Sequence, residues 1–416
     1  MELTIEQSCP SCGASLTLRE DDRLIDCRFC GVHAYRIDSS ACRYLLPEAS
    51  PQSITASQIF YAPYLRFRGT IFAVQHNRVN HRLVDTTRLA IAADPLAPSL
   101  GLRPQAMAVR PVVAKTPGLF LQQTMPTREV FRHATRLADL LKKRSGGTTQ
   151  HRAFIGETLS RIYQPFYLKG EMVHDAVDNR VVCPREALAG HLLKTCRSKV
   201  SWEPRFLNTI CRSCGGLLGG ERDSVILHCR NCAAHWQEEG KAFVPVSWEV
   251  VSSRNPEVLH LPFWRIELVT AGHRLASFAD YLRFTNQPVI AKPADQRRPL
   301  CFWIPAIKIQ PKAFLQLAGQ LTLGQWRLPA GQSGTPPANS HPVTLPRLEG
   351  EQSVKTVLAA TTLARAKSLP LLPEIEVRPI QVVLSYLPFR RHTHDLVEEY
   401  TGATVQTAAI RYGRSL

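Results

Sequence analysis

The 416-residue chain lacks any stretch near eighteen uninterrupted apolar residues, so no helix of it is expected to span a bilayer. It also lacks a basic segment followed by an apolar one near its start, where Met1-Glu2-Leu3-Thr4-Ile5-Glu6-Gln7 is acidic. That absence gives no secretory signal and leads to the expectation of a cytoplasmic protein. Catalytic signatures are missing too. There is no Gly-x-x-x-x-Gly-Lys-Ser/Thr phosphate cradle, no Gly-x-Ser-x-Gly nucleophile elbow and no His-Glu-x-x-His helix. The expectation is a non-enzymatic protein with no small-molecule substrate.

What is present is an ordinary globular balance, 44% hydrophobic and 20% charged, long enough for two to four domains. The net charge of +17 is diffuse: 27 Lys and Arg stand against 17 Asp and Glu in residues 1–200, and 24 against 17 in the remainder. Such a field attracts nucleic acid, anionic lipid and acidic proteins alike.

Eight of the twelve cysteines fall into four Cys-x-x-Cys pairs, while Cys42, Cys183, Cys196 and Cys301 are scattered and read as core thiols. The first quartet is Cys9, Cys12, Cys27 and Cys30; the second is Cys211, Cys214, Cys229 and Cys232. Fourteen residues separate Cys12 from Cys27, and fourteen separate Cys214 from Cys229. A Cys-x-x-Cys turn lets two thiolates face one cation, and the glycine after Cys12, Cys30 and Cys214 permits the positive φ that closes such a knuckle. Two knuckles supply the four soft ligands of tetrahedral zinc(II), so two structural zinc ions per chain are expected. An iron site of rubredoxin type and a redox dithiol are the alternatives. Leu16–Leu18 with Leu24-Ile25, and Leu217-Leu218 with Val225–Leu227, read as hairpins joining the knuckles. His33 and His235, with Tyr35 and Trp236 close by, read as caps on those hairpins rather than as further ligands.

The quartets resemble zinc ribbons of the transcription-factor-IIB and rubredoxin-like class over about 35 residues each. This resemblance implies a fold, not a function. Cys9–Cys30 followed by Tyr61–Phe67 is also similar to bacterial zinc-ribbon proteins with Tyr-Pro-aromatic strands, some of which belong with membrane-stress assemblies.

Repetition extends beyond the cysteines. Arg43–Pro47 answers Lys241–Pro245, Pro63–Arg68 answers Pro262–Glu267, and Ala106–Pro111 answers Ala306–Pro311, all at offsets close to the 202 residues separating Cys9 from Cys211. The reading is an internally duplicated α+β chain: ribbon 1 over 1–40, an α+β unit over 41–184, a helix and linker over 185–207, ribbon 2 over 208–240, and a second unit over 241–416.

Within the first unit, strands are expected at Tyr64–Gln75 and His81–Ala92, turning at His76–Asn80. Within the second, Phe263–Thr270 turns at Ala271-Gly272-His273 into a strand Arg274–Phe284. Third strands fall at Met107–Arg110 and Cys301–Ile309. Helices are expected at Thr127–Arg144, with Val130, Phe131, Ala134, Leu137, Ala138 and Leu141 on one face and cations before Gly146-Gly147, and also at Lys312–Leu323 and Glu351–Lys367. Later hairpins turn at Asp178-Asn179 and Thr401-Gly402. The Pro-, Gly- and Ser-rich segment 328–348 reads as an exposed inserted loop.

Two readings remain for the Pro-aromatic segments. Tyr64, Phe166, Phe263 and Trp264 beside Arg66 and Arg265 either stack unpaired bases or fill a core at strand spacing; recurrence with the fold favours the core. The run Arg390–Asp395 with Glu398-Glu399 reads as a solvated strand end rather than an anion or metal site. Functionally, the expectation is an adaptor that binds protein partners through its ribbons and duplicated body. The alternative is a nucleic-acid binder using Arg19, Arg23, Arg28 and Arg36 around ribbon 1 and Arg212, Arg222 and Arg230 around ribbon 2.

Overall fold

A computed structural model describes residues 3–37, 42–75, 78–113, 116–140, 148–192, 195–196, 205–240, 242–253, 255 and 257–413. The expected turn at His76-Asn77, the cationic helix end Lys142–Arg144 with its glycines, most of the second half of 185–207 and the Cys196 side chain lie outside the described residues.

Sheets and helices are both present, and the chain forms two compact units that are not contiguous halves. Unit 1 comprises Met1–Arg68, Val84–Leu141 and Glu157–Thr209; unit 2 comprises Gly69–Leu83, Lys142–Gly156 and Ile210–Leu416. Segments from the first half of the sequence are thus part of unit 2, where Phe72, Val74, Ala153 and Ile155 join its hydrophobic core.

The long strands Ile59–Gln75 and Thr149–Lys169 are neighbours, with Arg78–Leu89 beside the former; residues 59–68, 84–89 and 157–169 of them belong to unit 1. Met172–Asp175 and Val181–Pro184 extend the sheet past Thr149–Lys169, and Cys42–Leu45 runs parallel to Ser160–Tyr163. The core stacks Phe60 on Phe166 and buries Tyr64 completely, its hydroxyl donating to the Ala97 carbonyl.

In unit 2, Leu259–Ala271 lies antiparallel to Glu376–His392, and Cys301–Pro305 pairs with the former. Asp395–Glu398 and Thr404–Gln406 extend the sheet, while Trp248–Val250 runs parallel to Leu384–Tyr386. Phe263 stacks on Phe389, and the Trp264 indole donates to the Leu345 carbonyl. With Tyr64, Phe166, Phe263 and Trp264 all buried, none presents a free face to a base.

A set of backbone hydrogen bonds recurs. Ala90 N–H donates to the Pro63 carbonyl, as Ala306 N–H does to that of Pro262, both at 2.9 Å. The Ala90 carbonyl accepts from Thr124 and Met125, and that of Ala306 accepts from Thr344 and Leu345. Ala176 donates to Pro165 O and Glu399 to Pro388 O. In each case proline lacks a donor, but its carbonyl still serves the sheet.

These bonds match different residues from those that the sequence pairs. Ala90 makes the bonds that Ala306 makes, whereas the Ala106 N–H bonds to Leu102 O inside the short helix Arg103–Ala106. Likewise Ala242–Val246 pairs with His235–Glu239, whereas Cys42–Leu45 holds the place that Trp248–Val250 has in unit 2. The expected strand Met107–Arg110 shrinks to Arg110–Pro111, and Cys301–Ile309 ends at Pro305. Arg274–Phe284 is not a strand. Ser277 and Asp280 form a reciprocal capping box that starts the helix Phe278–Thr285, placing Phe278, Tyr281, Leu282 and Thr285 in the core. The helix expected at Glu351–Lys367 runs from Arg347 to Thr361, and a separate short helix follows at Arg365–Ser368. Those expected at Thr127–Arg144 and Lys312–Leu323 span Arg128–Leu140 and Pro311–Gly324. Turns at Asn179 and Gly402 adopt φ of 61° and 75°. The 328–348 loop is exposed only at first: Val343, Thr344 and Leu345 are buried, and Val343 O accepts from Val225.

Candidate metal centres

Each quartet is built by two knuckles of one design. The cysteine opening a knuckle accepts at its carbonyl from the residue four positions on: Gly13 to Cys9, Gly31 to Cys27, Gly215 to Cys211 and Ala233 to Cys229, at 2.8–3.0 Å. Its own N–H donates to the carbonyl of the fifth residue, Ala14, Val32, Gly216 or Ala234. Closing that loop demands a left-handed residue, and Gly13, Gly31 and Gly215 take φ of 75°, 70° and 73°. The fourth knuckle places Ala233 there at 59°, a conformation that costs a side chain-bearing residue free energy.

The strands position the knuckles differently from the sequence expectation in ribbon 1. Ser15–Arg19 pairs with Thr4–Ser8, while Leu24–Asp26 pairs with His33–Ile37, so Leu16–Leu18 and Leu24-Ile25 do not form one hairpin. The other edge of His33–Ile37 is taken by Arg205–Asn208. In ribbon 2, Leu218-Gly219 does pair with Ile226–Cys229.

The sulfurs converge. Cys9 and Cys30 lie 3.7 Å apart, Cys12 and Cys27 3.7 Å, Cys211 and Cys232 3.6 Å, and Cys214 and Cys229 3.4 Å. All four sulfurs of each quartet fall within 4.8 Å of one another, with two cysteines buried and two exposed in each. A disulfide needs about 2.05 Å between sulfurs. A tetrahedron of thiolates at zinc–sulfur bonds of ~2.3 Å has edges of roughly 3.8 Å, close to these separations. Two groups able to hold a metal ion are therefore present. No family model matches this chain, and neither a curated protein nor a solved structure shows significant similarity to it.

Backbone amides prepare the sulfurs for metal. Ser11 N–H lies 3.4 Å from Cys9 Sγ, and Asn231 N–H 3.4 Å from Cys229 Sγ. The Cys12 amide, then that of Ser11, hold the Cys9 thiol down at about 6 against burial. The Gly216 amide and the Asn231 side chain hold Cys214 at about 6. At Cys211, burial opposes the Ser213 and Cys214 amides, which prevail and lower it. The remaining protons concentrate elsewhere. The Ala14 amide lowers Cys12, but burial and the other three sulfurs together push it up to about 12. At Cys232 the Ala234 amide is likewise outweighed by Cys214, burial and the other sulfurs, again to about 12. Four thiols this close cannot all ionise without a cation between them.

The two histidines differ. His33 is exposed and lies 3.8 Å from the equally exposed Asp26 carboxylate. His235 is buried: its Nδ1 is 2.9 Å from Ala233 O and its Nε2 3.1 Å from the Tyr386 hydroxyl. Burial holds its basicity down at about 4. Tyr35 and Trp236 are buried as well.

Of the seven ribbon arginines, Arg19, Arg28, Arg212, Arg222 and Arg230 are exposed and Arg23 is half-buried. Arg36 is buried and donates to the Glu20 carbonyl, so it does not share the surface of the others. Sequence reasoning missed the apolar tips beside them: Phe29, 76% exposed between Cys27 and Cys30, and in ribbon 2 Ile210 and Leu217. It also missed the buried charges. Arg66 is fully buried, with Nη1 2.5 Å from Glu20 Oε2 and a fork of 2.9 and 2.7 Å onto Asp85. Burial disfavours its charge, but Glu20 and Asp85 outweigh burial and bind the proton more tightly. Arg265 makes the matching fork onto Glu249, at 2.8 and 3.3 Å.

A recess of about 380 Å³, counted out to its mouth, lies in unit 2 between Phe72, Ile155, Ile307 and Phe314. Lys308 is the one titratable side chain in its lining.

Proposed function

We propose that both quartets are structural zinc sites and that the chain is a non-enzymatic scaffold made of two copies of one unit, meeting protein partners through its ribbons. The observation that carries this is the sulfur geometry, repeated on four knuckles with the same pair of backbone hydrogen bonds. Zinc is the ion proposed because a closed tetrahedron of four thiolates is its usual structural environment; metal analysis distinguishes it from iron held by the same four sulfurs. The duplication is supported by matched carbonyl acceptors at Pro63 and Pro262 and at Pro165 and Pro388, and by equivalent parallel strands at Cys42–Leu45 and Trp248–Val250.

Two observations favour a binding role over catalysis. The recess in unit 2 offers an apolar wall with one titratable group, whereas acid–base chemistry asks for several convergent ones. Buried Arg66 and half-buried Arg265 are both consumed in carboxylate forks. The exposed apolar tips Phe29, Ile210 and Leu217 favour protein partners, because such side chains are what an interface core desolvates.

A second reading has its own observation: the exposed ring of Phe29 sits next to exposed Arg28, a pairing suited to an unpaired base and its phosphate. Affinity capture from the native host, with nuclease in one arm, separates the two. Partners surviving nuclease uphold the scaffold; partners lost with it uphold nucleic-acid binding.

A further inference from the structure

Among the described residues, the most exposed large aliphatic pair belongs to neither ribbon. Val289 and Ile290, 59% and 90% exposed, form the tip of a short loop between the helices Phe278–Thr285 and Pro293–Arg297 in unit 2. The loop is braced rather than loose. Asn286 ends the first helix in the left-handed region at φ 54°, and Gln287 N–H returns to Leu282 O at 3.0 Å. The Gln287 side chain donates to Thr361 O at 2.7 Å, and Lys292 N–H to Asp295 Oδ2 at 2.9 Å. Ala291 packs against the core, and Pro288 and Pro293 stiffen the chain on either side of the tip. Leu363, also exposed, is held beside the loop's origin by its N–H bond to Thr285 O at 2.9 Å.

Cations lie on either side of this tip along the chain. Arg283, Lys292, Arg297 and Lys367 are exposed on the segments that carry or flank it, and Arg298 and Arg365 are half-buried there. Of the acids on the two helices, Asp280 is paired with Arg283 at 3.0 Å, and Asp295, buried at the Lys292 cap, is paired with Arg298 at 3.5 Å, so the attraction rests on Lys292, Arg297 and Lys367. We propose that Val289 and Ile290 form a wedge that docks this chain on an anionic lipid surface. A convex aliphatic knob has no groove of its own to receive a peptide, and aliphatic side chains do not stack bases. A bilayer interface accepts such a knob between headgroups, while Lys and Arg at the level of the phosphates add attraction. The inference is independent of the ribbons' partners.

The test is vesicle flotation of the full chain with phosphatidylserine–phosphatidylcholine vesicles, phosphatidylcholine vesicles, and none. Wild type should float with the anionic vesicles, less with the neutral ones, and less again as salt rises. The double variant V289D/I290D should lose anionic-vesicle binding by about tenfold or more, with its melting temperature and metal content unchanged because both side chains are exposed. In I290W, brominated acyl chains should quench tryptophan emission beyond what they quench in wild type. No binding to anionic vesicles overturns the proposal. So does undiminished binding by V289D/I290D, which would assign attraction to the diffuse charge, or loss of a captured protein partner by that variant without loss of vesicle binding.

Discussion

His235 Nε2 lies 3.1 Å from the Tyr386 hydroxyl, while its Nδ1 faces the carbonyl of Ala233 in the last knuckle of the second quartet. One imidazole thus joins a ribbon to the central sheet of unit 2, with both ring nitrogens occupied and Trp248 packed 4.4 Å from its centroid. Replacing Tyr386 with Phe leaves a buried nitrogen without its partner and should cost about 1–2 kcal/mol in urea unfolding. Metal content should remain that of wild type. A variant as stable as wild type would show that the bond contributes nothing net.

Acid should destabilise the fold before carboxylates titrate. Burial leads the lowering of His81, His133, His151, His228, His235 and His260, with His151 and His235 down at about 4. The unfolded chain binds protons at these sites near pH 6.5 while the folded chain does not, so unfolding takes up protons in that window. Stability is full above about pH 6.5 and falls as the pH drops toward about 4. Denaturant midpoints at pH 7.5, 6 and 5 check this; a flat profile refutes it.

Arg66, fully buried in unit 1, offers a larger effect. Arg66 satisfies Glu20 and Asp85 at once; in Arg66→Met Asp85 would lose its fork and Glu20 would keep only Arg68, 4.0 Å away. Removing one partner of a buried ion pair costs about 3–5 kcal/mol. Arg66→Lys should recover only part, since an ammonium cannot make the fork onto Asp85. Equilibrium unfolding of the two variants, read against wild type, settles the order.

How much of this was legible in the sequence depends on how local each determinant is. The quartets were readable because each ligand pair spans four residues and three of the four turns that hold them carry a glycine at the left-handed position. The helix Phe278–Thr285 was not, since Phe278, Tyr281 and Phe284 favour strands and only Ser277 with Asp280 signals the cap. The likeness of Ala90 to Ala306 lies in backbone bonds to Pro63 and Pro262, which leave no side-chain signature, so the sequence pointed to Ala106 instead. Arg66 reads as a surface charge until Glu20, 46 residues away, is brought to it.

Ala233 tests the knuckle design itself. It occupies the left-handed position that glycine fills in the other three knuckles. Ala233→Gly should relieve strain and stabilise the second ribbon, the gain held to about 0.5–1 kcal/mol because glycine also loosens the unfolded chain. Gly215→Ala should do the reverse. Zinc release to a chelator should slow in the first variant and quicken in the second; equal rates would place the strain elsewhere.

Removing one sulfur from each quartet probes the metal assignment. Cys12 and Cys214 are both exposed, so serine at either position creates no cavity and its effect reports on ligation. Three thiolates and a hydroxyl hold zinc far less tightly than four thiolates, and apparent binding free energies at such sites, ~10–16 kcal/mol, are largely folding free energy. Cys12→Ser should therefore keep one metal ion per chain and loosen the first ribbon, while Cys214→Ser keeps one and loosens the second. Hydrogen exchange should locate each loss: in Cys12→Ser the amides of Gly13 and Gly31 exchange faster while those of Gly215 and Ala233 do not, with the pattern inverted in Cys214→Ser. Two ions retained in both variants would defeat the tetrathiolate assignment, and loss of both ions from either would show that the two centres do not fold independently.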